Sequence, residues 1–395
     1  MEERLWTIDY IKVMLTNFLL YFAFYLLTPL LPIYLSEEYG ATKDTIGIIL
    51  SGYTLATLII RPFSGFLIDN FPRKKILLIC LAFFFICFAG YIAASTLLMF
   101  GIIRTLHGAP FGASTVSNST CAIDILPSCR RNEGIGLFGL SNNLAMAISP
   151  SIGIYIYKFV GNFNILFWIA LFIAGTALIT ASSIKITTKP IVHQNMKLSL
   201  DRFFLTRAWI MAINISLFGF CFGILCNYLA IFSKEELHIT TGTGTYFALL
   251  SIGLFVSRLQ GTKSLKKGKL THNAGMGMIL ASVGYLLFVS IHNPIAYYIS
   301  AILIGLGNGH MYPAFLNMFI SIAHHNERGT ANSSILTGWD IGFGLGVLLG
   351  GIIAEHTSYD VAFWIVAAYN IIGVVLFYTC TRNNFLQINL NSQNH

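Results

Sequence analysis

Four charged side chains interrupt long apolar runs in this 395-residue chain: Arg61, Arg104, Arg258 and Asp340. Asp340 lies in Gly338-Trp339-Asp340-Ile341-Gly342-Phe343-Gly344 and is the one acidic residue within such a run. A carboxylate in apolar surroundings is expensive when ionised, so it is either neutralised by a cation or protonated. Exchange between those two states takes up and releases a proton. Arg61, Arg104 and Arg258 are the candidate partners, and the sequence does not choose among them. Arg104 opens Arg104-Thr105-Leu106-His107-Gly108-Ala109-Pro110-Phe111-Gly112. A cation that deep costs at least ~2.5–3.5 kcal/mol on insertion scales, which calls for a polar cavity or a partner. His107 follows one turn on, either as a group that titrates near neutral pH or as a neutral packed imidazole. The chemistry expected of Asp340, Arg104 and His107 is proton coupling.

The elements that carry these charges follow from composition. Only 10% of the residues are charged and 55% are hydrophobic, against about 25% charged in soluble domains. The chain reads as an all-α integral membrane protein with no room for a soluble catalytic domain. It has no G-x-x-x-x-G-K-S/T phosphate loop and no His-Glu-x-x-His pattern, so neither an enzyme nor a cofactor is expected. The cysteines, odd in number and mostly inside apolar runs, have no metal-type spacing, so no metal is expected. Each crossing takes roughly 20 apolar residues. Apolar stretches fall near 11–35, 45–69, 76–94, 97–120, 134–157, 163–184, 208–232, 243–262, 270–291, 294–321, 331–354 and 359–380. The expected fold is therefore twelve transmembrane helices, with the first a retained span and not a signal peptide.

The longest polar interval, 185–207, falls near the midpoint. It divides an N-terminal six-helix bundle, 1–184, from a C-terminal bundle with a short tail, 208–395. The halves echo each other: Gly134 to Trp168 and Gly329 to Trp364 both follow a short charged turn, become glycine-rich and end on Phe-Trp. By that offset Asp340 corresponds to Asn143. Two pseudo-symmetric bundles holding a solute near mid-membrane are the expected architecture.

Loop charge orients the chain. The even span count puts both termini on one face, which receives most of the Lys and Arg residues, the opposite face only Lys43, Lys158 and Lys234. Basic loops stay cytoplasmic, so both termini and the connector are expected in the cytoplasm of an inner membrane. The net charge of +8 is then a topology signal and not a mark of nucleic-acid binding.

Between the second and third spans the chain runs Gly65-Phe66-Leu67-Ile68-Asp69-Asn70-Phe71-Pro72-Arg73-Lys74-Lys75. A glycine that lets helices approach, an acid at the helix end and a basic cluster beyond a tight turn permit a charge-linked latch. Here the chain resembles the major facilitator superfamily, whose corresponding loop carries G-x-x-x-D-R/K-x-G-R-R/K. The resemblance extends over span count, midpoint connector and internal repeat. Asn70 and Pro72 depart from the pattern, where the family prefers a base and a glycine. The resemblance implies a cytoplasmic gate at Gly65, Asp69, Arg73 and Lys74, with Arg61 nearby.

Two further patterns are similar to the family's. R-x-x-x-G of the fourth span matches Arg104 and Gly108. The exporters' G-P-x-x-G-G of the fifth span is half kept in Ser149-Pro150-Ser151-Ile152-Gly153-Ile154, where Pro150 and Gly153 would shape the helix. Polar and aromatic residues expected to line a substrate cavity are Asn17, Tyr21, Tyr25, Asn143, Asn227, Asn308, His310 and Tyr312. The first three share a helical face at four-residue spacing. The resemblance implies a monomeric, lipid-embedded secondary transporter, proton-coupled and exporting a small organic or drug-like solute by alternating access. Proton-linked uptake of a sugar or organic acid, and a non-transporting membrane sensor, are the alternatives.

Overall fold

The computed structural model describes residues 5–127, 131–185, 204–237, 242–266, 268–323 and 328–393, with the side chains of most of them. Among the described residues the regular structure is helical. Its elements are α1 (Ile8–Leu27), α2 (Leu31–Tyr39), α3 (Lys43–Asn70), α4 (Arg73–Ala93), α5 (Leu97–Ile125), α6 (Arg131–Val160) and α7 (Phe163–Ser182). After residue 205 come α8 (Trp209–Glu235), α9 (Thr243–Lys266), α10 (Leu270–Ser290), α11 (Pro294–Ser321), α12 (Arg328–His356), α13 (Tyr359–Leu376) and α14 (Arg382–Gln393). Twelve crossings result: α1 continued by α2, then α3 to α7, and α8 to α13. Many present exposed Ile, Leu and Phe side chains outward, such as Phe172 and Ile179 of α7 and Phe83 and Ile86 of α4. The chain is a multi-pass membrane protein.

The first crossing, expected as one helix to residue 35, is broken. Pro29 has no N–H to continue the ladder, and the helix restarts at Leu31 with Pro32 in its first turn. The last crossing runs on past residue 380, through a π-helical turn at Phe377–Thr381 into α14. Hydroxyl and amide side chains set the helix starts: Thr96 accepts from the Met99 N–H to begin α5, and Ser358 accepts from Val361 to begin α13. Such caps contribute about 1 kcal/mol each.

The chain forms two compact units, residues 1–41 with 49–196, and residues 42–48 with 197–395. Their internal packing repeats. In unit 1, α1 packs on α6 and α7, while α4 packs on α5 and α7. In unit 2, α8 packs on α12 and α13, while α10 packs on α11 and α13. Residues 42–48, the first turn of α3, belong to unit 2 because their bonds are made there. The Lys43 N–H donates to Glu355 Oε2 at 2.8 Å, its Nζ lies 3.2 Å from Glu235, and it sits 4.5 Å over the Tyr359 ring.

Candidate functional site

In unit 1 the site is built on α5. The Thr96 cap fixes the register, and Arg104 falls about two turns inside the helix. Gly108 brings α3 close: a Cβ there would lie 2.0 Å from the Tyr53 carbonyl oxygen. The Thr57 hydroxyl, 2.9 Å from both the Tyr53 and Gly108 carbonyls, shares its proton across that seam. This close approach delivers the Tyr53 ring onto Arg104, whose Cζ lies 4.1 Å from the ring centroid and 5.6 Å from that of Phe24 on α1.

Arg104 is 4% exposed. Its Nη1 donates to the Tyr91 hydroxyl of α4 at 3.3 Å, and the same hydroxyl lies 2.7 Å from His107 Nδ1. His107 is buried between Phe84 and Phe88, with centroids 4.6 and 4.7 Å away. Arg104 and His107 are thus brought together through Tyr91, a residue the sequence gave no reason to select. The expectation that Arg104 pairs with a carboxylate is not met: among the described residues none reaches it within ion-pair distance.

The stripe expected on the first span is a real face, and it joins this cluster. Tyr21 and Tyr25 stack at 6.3 Å with 15° between their planes, and Tyr21 meets Phe111 edge-on at 5.4 Å. Asn17, on the same face, is 2% exposed and tied into the seam: it donates to Ser141 of α6 at 2.9 Å. Pro150 lies inside α6, and Gly153 lets α6 reach α1, since a Cβ there would fall 2.2 Å from the Leu26 carbonyl oxygen.

At the expected gate, Arg73 forms an ion pair with Asp124 at the end of α5, and Lys74 donates to the Ile184 carbonyl at 2.7 Å. Both basic residues are engaged inside unit 1. Asp124 was not anticipated because the fifth helix was expected to end at residue 120. Arg61 is buried on α3. The side chains of Asp69, Asn143 and Arg258, and the surroundings of Gly65, lie outside the described residues.

In unit 2, Asp340 lies on α12. Gly338, Gly342 and Gly346 seat that helix on α8, and a Cβ at Gly342 would fall 1.9 Å from the Ser216 carbonyl oxygen. Asp340 is two residues from both Gly338 and Gly342, about 200° around the helix, and so occupies the face turned away from α8. It is half-buried. Trp339 beside it meets Tyr312 edge-on at 5.4 Å, which places one expected cavity residue next to Asp340. Asn227, Asn308 and His310 are buried, at 2%, 7% and 3% exposure. Asn227 donates back to Gly223 of its own helix at 2.9 Å, and His310 packs at Gly261 of α9.

Comparison with known proteins follows this geometry. The model of the Major Facilitator Superfamily matches residues 13–333, with a second match over 274–386. The chain is 23% identical to the uncharacterized MFS-type transporter YhhS of Escherichia coli K12, over 93% of this chain and 91% of that protein. It is 22% identical to the quinolone resistance protein NorA of Staphylococcus aureus, over 91% and 93%. In three dimensions it is similar to the nucleoside transporter NupG, with TM-score 0.76 at 15% identity, covering 94% of this chain and 99% of that one.

Proposed function

The chain belongs to the Major Facilitator Superfamily, whose members carry small molecules across membranes, and from that premise we propose that it exports a small organic solute in exchange for protons, by alternating access. The observation that carries this reading is Asp340. It is a carboxylate within an apolar helix, half-buried, on the face of α12 turned from its packing partner α8. Neutral when protonated and costly when ionised, it changes the charge of unit 2 with each proton bound. Arg104 and His107 of unit 1 form the second coupling element, and Arg73 with Lys74 and Asp69 the gate on the cytoplasmic side. The likeness to NorA supports export, and the half-kept Ser149-Pro150-Ser151-Ile152-Gly153 pattern points the same way. Loop charge supports a cytoplasmic membrane with both termini inside, and the packing of each unit supports a monomer surrounded by lipid.

Proteoliposomes with an imposed pH gradient and a trapped pH dye test the reading, with a solute panel that begins with quinolones. Solute-dependent proton flux that collapses in Asp340→Asn is the expected result. Flux unchanged in that variant removes Asp340 from the mechanism. Solute moving in the same direction as protons means uptake, and no flux under either gradient means a sensor.

A further inference from the structure

We propose that the carried solute is an organic anion, a planar aromatic carboxylate, and that its carboxylate docks on Arg104 inside unit 1. The proposal rests on the transport reading above and adds the chemical class of the solute.

A guanidinium stays charged wherever it is placed, and buried charges are normally paired. Arg104 is 4% exposed, yet its only partners are the Tyr91 hydroxyl and the π faces of Tyr53 and Phe24. Its Nε is buried without a hydrogen-bond partner, and so is the hydroxyl of Tyr53, the ring stacked on it. Basic residues that hold this fold together behave differently: Lys12 and Lys74 donate to the Ser183 and Ile184 carbonyls at 2.9 and 2.7 Å. Arg104 has no such backbone acceptor, so packing does not account for it.

The two spare donors define what is missing. Nη1 is engaged by Tyr91, which leaves the Nε edge, the geometry that matches a planar oxyanion. A carboxylate there accepts from Arg104 Nε and from the Tyr53 hydroxyl. The walls are flat and apolar: Phe24 and Phe111 stack at 4.9 Å, and Tyr53 lies 5.0 and 5.6 Å from them. Aromatic walls of this kind take an aromatic body and not a compact hydrophilic ion. In the empty site the electron-rich ring faces stand in for the anion, a weaker partner that a carboxylate displaces. The slot opens toward Tyr21, partly exposed, whose ring rests against Phe111.

The test uses the purified full-length protein in detergent and follows thermal unfolding with three probes of one shape: 2-naphthoate, 2-naphthalenemethanol and 2-naphthylmethylammonium. Naphthoate is expected to raise the midpoint saturably, and the alcohol and the ammonium to leave it unchanged. Arg104→Met is expected to weaken naphthoate binding at least tenfold while melting, without ligand, no lower than the wild type, because it removes a buried charge that has no counter-ion. Tyr53→Phe, which keeps the ring and deletes only the hydroxyl, is expected to weaken binding several-fold and keeps the proposal open to refutation if Arg104→Met does not fold. The proposal is overturned if the ammonium or alcohol shifts the midpoint as much as naphthoate, if naphthoate gives no shift, or if both variants bind like the wild type. The two readings fail separately. Naphthoate binding with no proton flux for any solute leaves the site and removes the export reading, whereas proton-coupled flux of a cationic dye, undiminished in Arg104→Met, does the reverse.

Discussion

Arg104 and Asp340 are both charges set in apolar helices, and the two halves present them in opposite ways. Arg104 is sealed by rings from α1 and α3, held at a tyrosine hydroxyl and cut off from water. Asp340 is half-buried on a helix whose other face is locked to α8. A sealed cation exchanges its surroundings only when rings move, whereas a half-open carboxylate meets protons directly. The difference assigns solute recognition to the first half and protonation to the second, although the two halves repeat the same helix packing.

The largest expected effect breaks that division at its acidic end. Asp340→Asn should lower solute-dependent proton flux by ~100-fold or more, the scale of a lost proton-transfer group, while leaving naphthoate binding intact. If naphthoate binding falls with it, the two roles are not separate. The next effect falls on the helix seams that present the charges. Gly108→Val and Gly342→Val place side-chain carbon on backbone oxygens 2.0 and 1.9 Å from a built Cβ, and each should cost at least ~1–3 kcal/mol, seen as a lowered melting midpoint. Only Gly108→Val should also abolish the naphthoate shift in whatever protein still folds. Tyr91→Phe removes the hydroxyl that joins Arg104 to His107. It should cost about 1–3 kcal/mol of stability for the groups left unsatisfied, and a loss of binding without a loss of proton coupling would sharpen the contrast. The smallest effect is a gain: Gly139 on α6 has nothing within 4 Å of a built Cβ, so Gly139→Ala should stabilise by up to ~1 kcal/mol with flux and binding unchanged.

Hydropathy alone reveals the twelve crossings and the repeat, because an apolar run long enough to cross a bilayer has few other uses. The ends of crossings are harder to read. The run Asn118-Ser119-Thr120 looks like an exit from the membrane, yet α5 continues through it to Ile125. Asn118 is fully buried and donates to the Val13 carbonyl at 3.2 Å, while Ser119 and Thr120 bond back to Val116. Polar residues satisfied in a helix seam have the same composition as polar residues in a loop. That ambiguity concealed Asp124 and its pairing with Arg73. Arg104 stood out as a cation in an apolar run, but Tyr53 and Tyr91 did not, since their meeting depends on helix rotation and on the close approach at Gly108. Among 18 tyrosines, nothing in local sequence marks those two.

Lys43 carries a practical consequence for anyone who treats the halves as separable modules. Cutting the chain in the 185–207 connector would leave Thr42–Ile48 on the N-terminal fragment, although those residues belong to unit 2. The C-terminal fragment would then display Glu235, Glu355 and the Tyr359 ring without the lysine that bridges them. Fragment complementation should therefore succeed better with a C-terminal piece supplied with a peptide copy of Thr42–Ile48 than with one left bare.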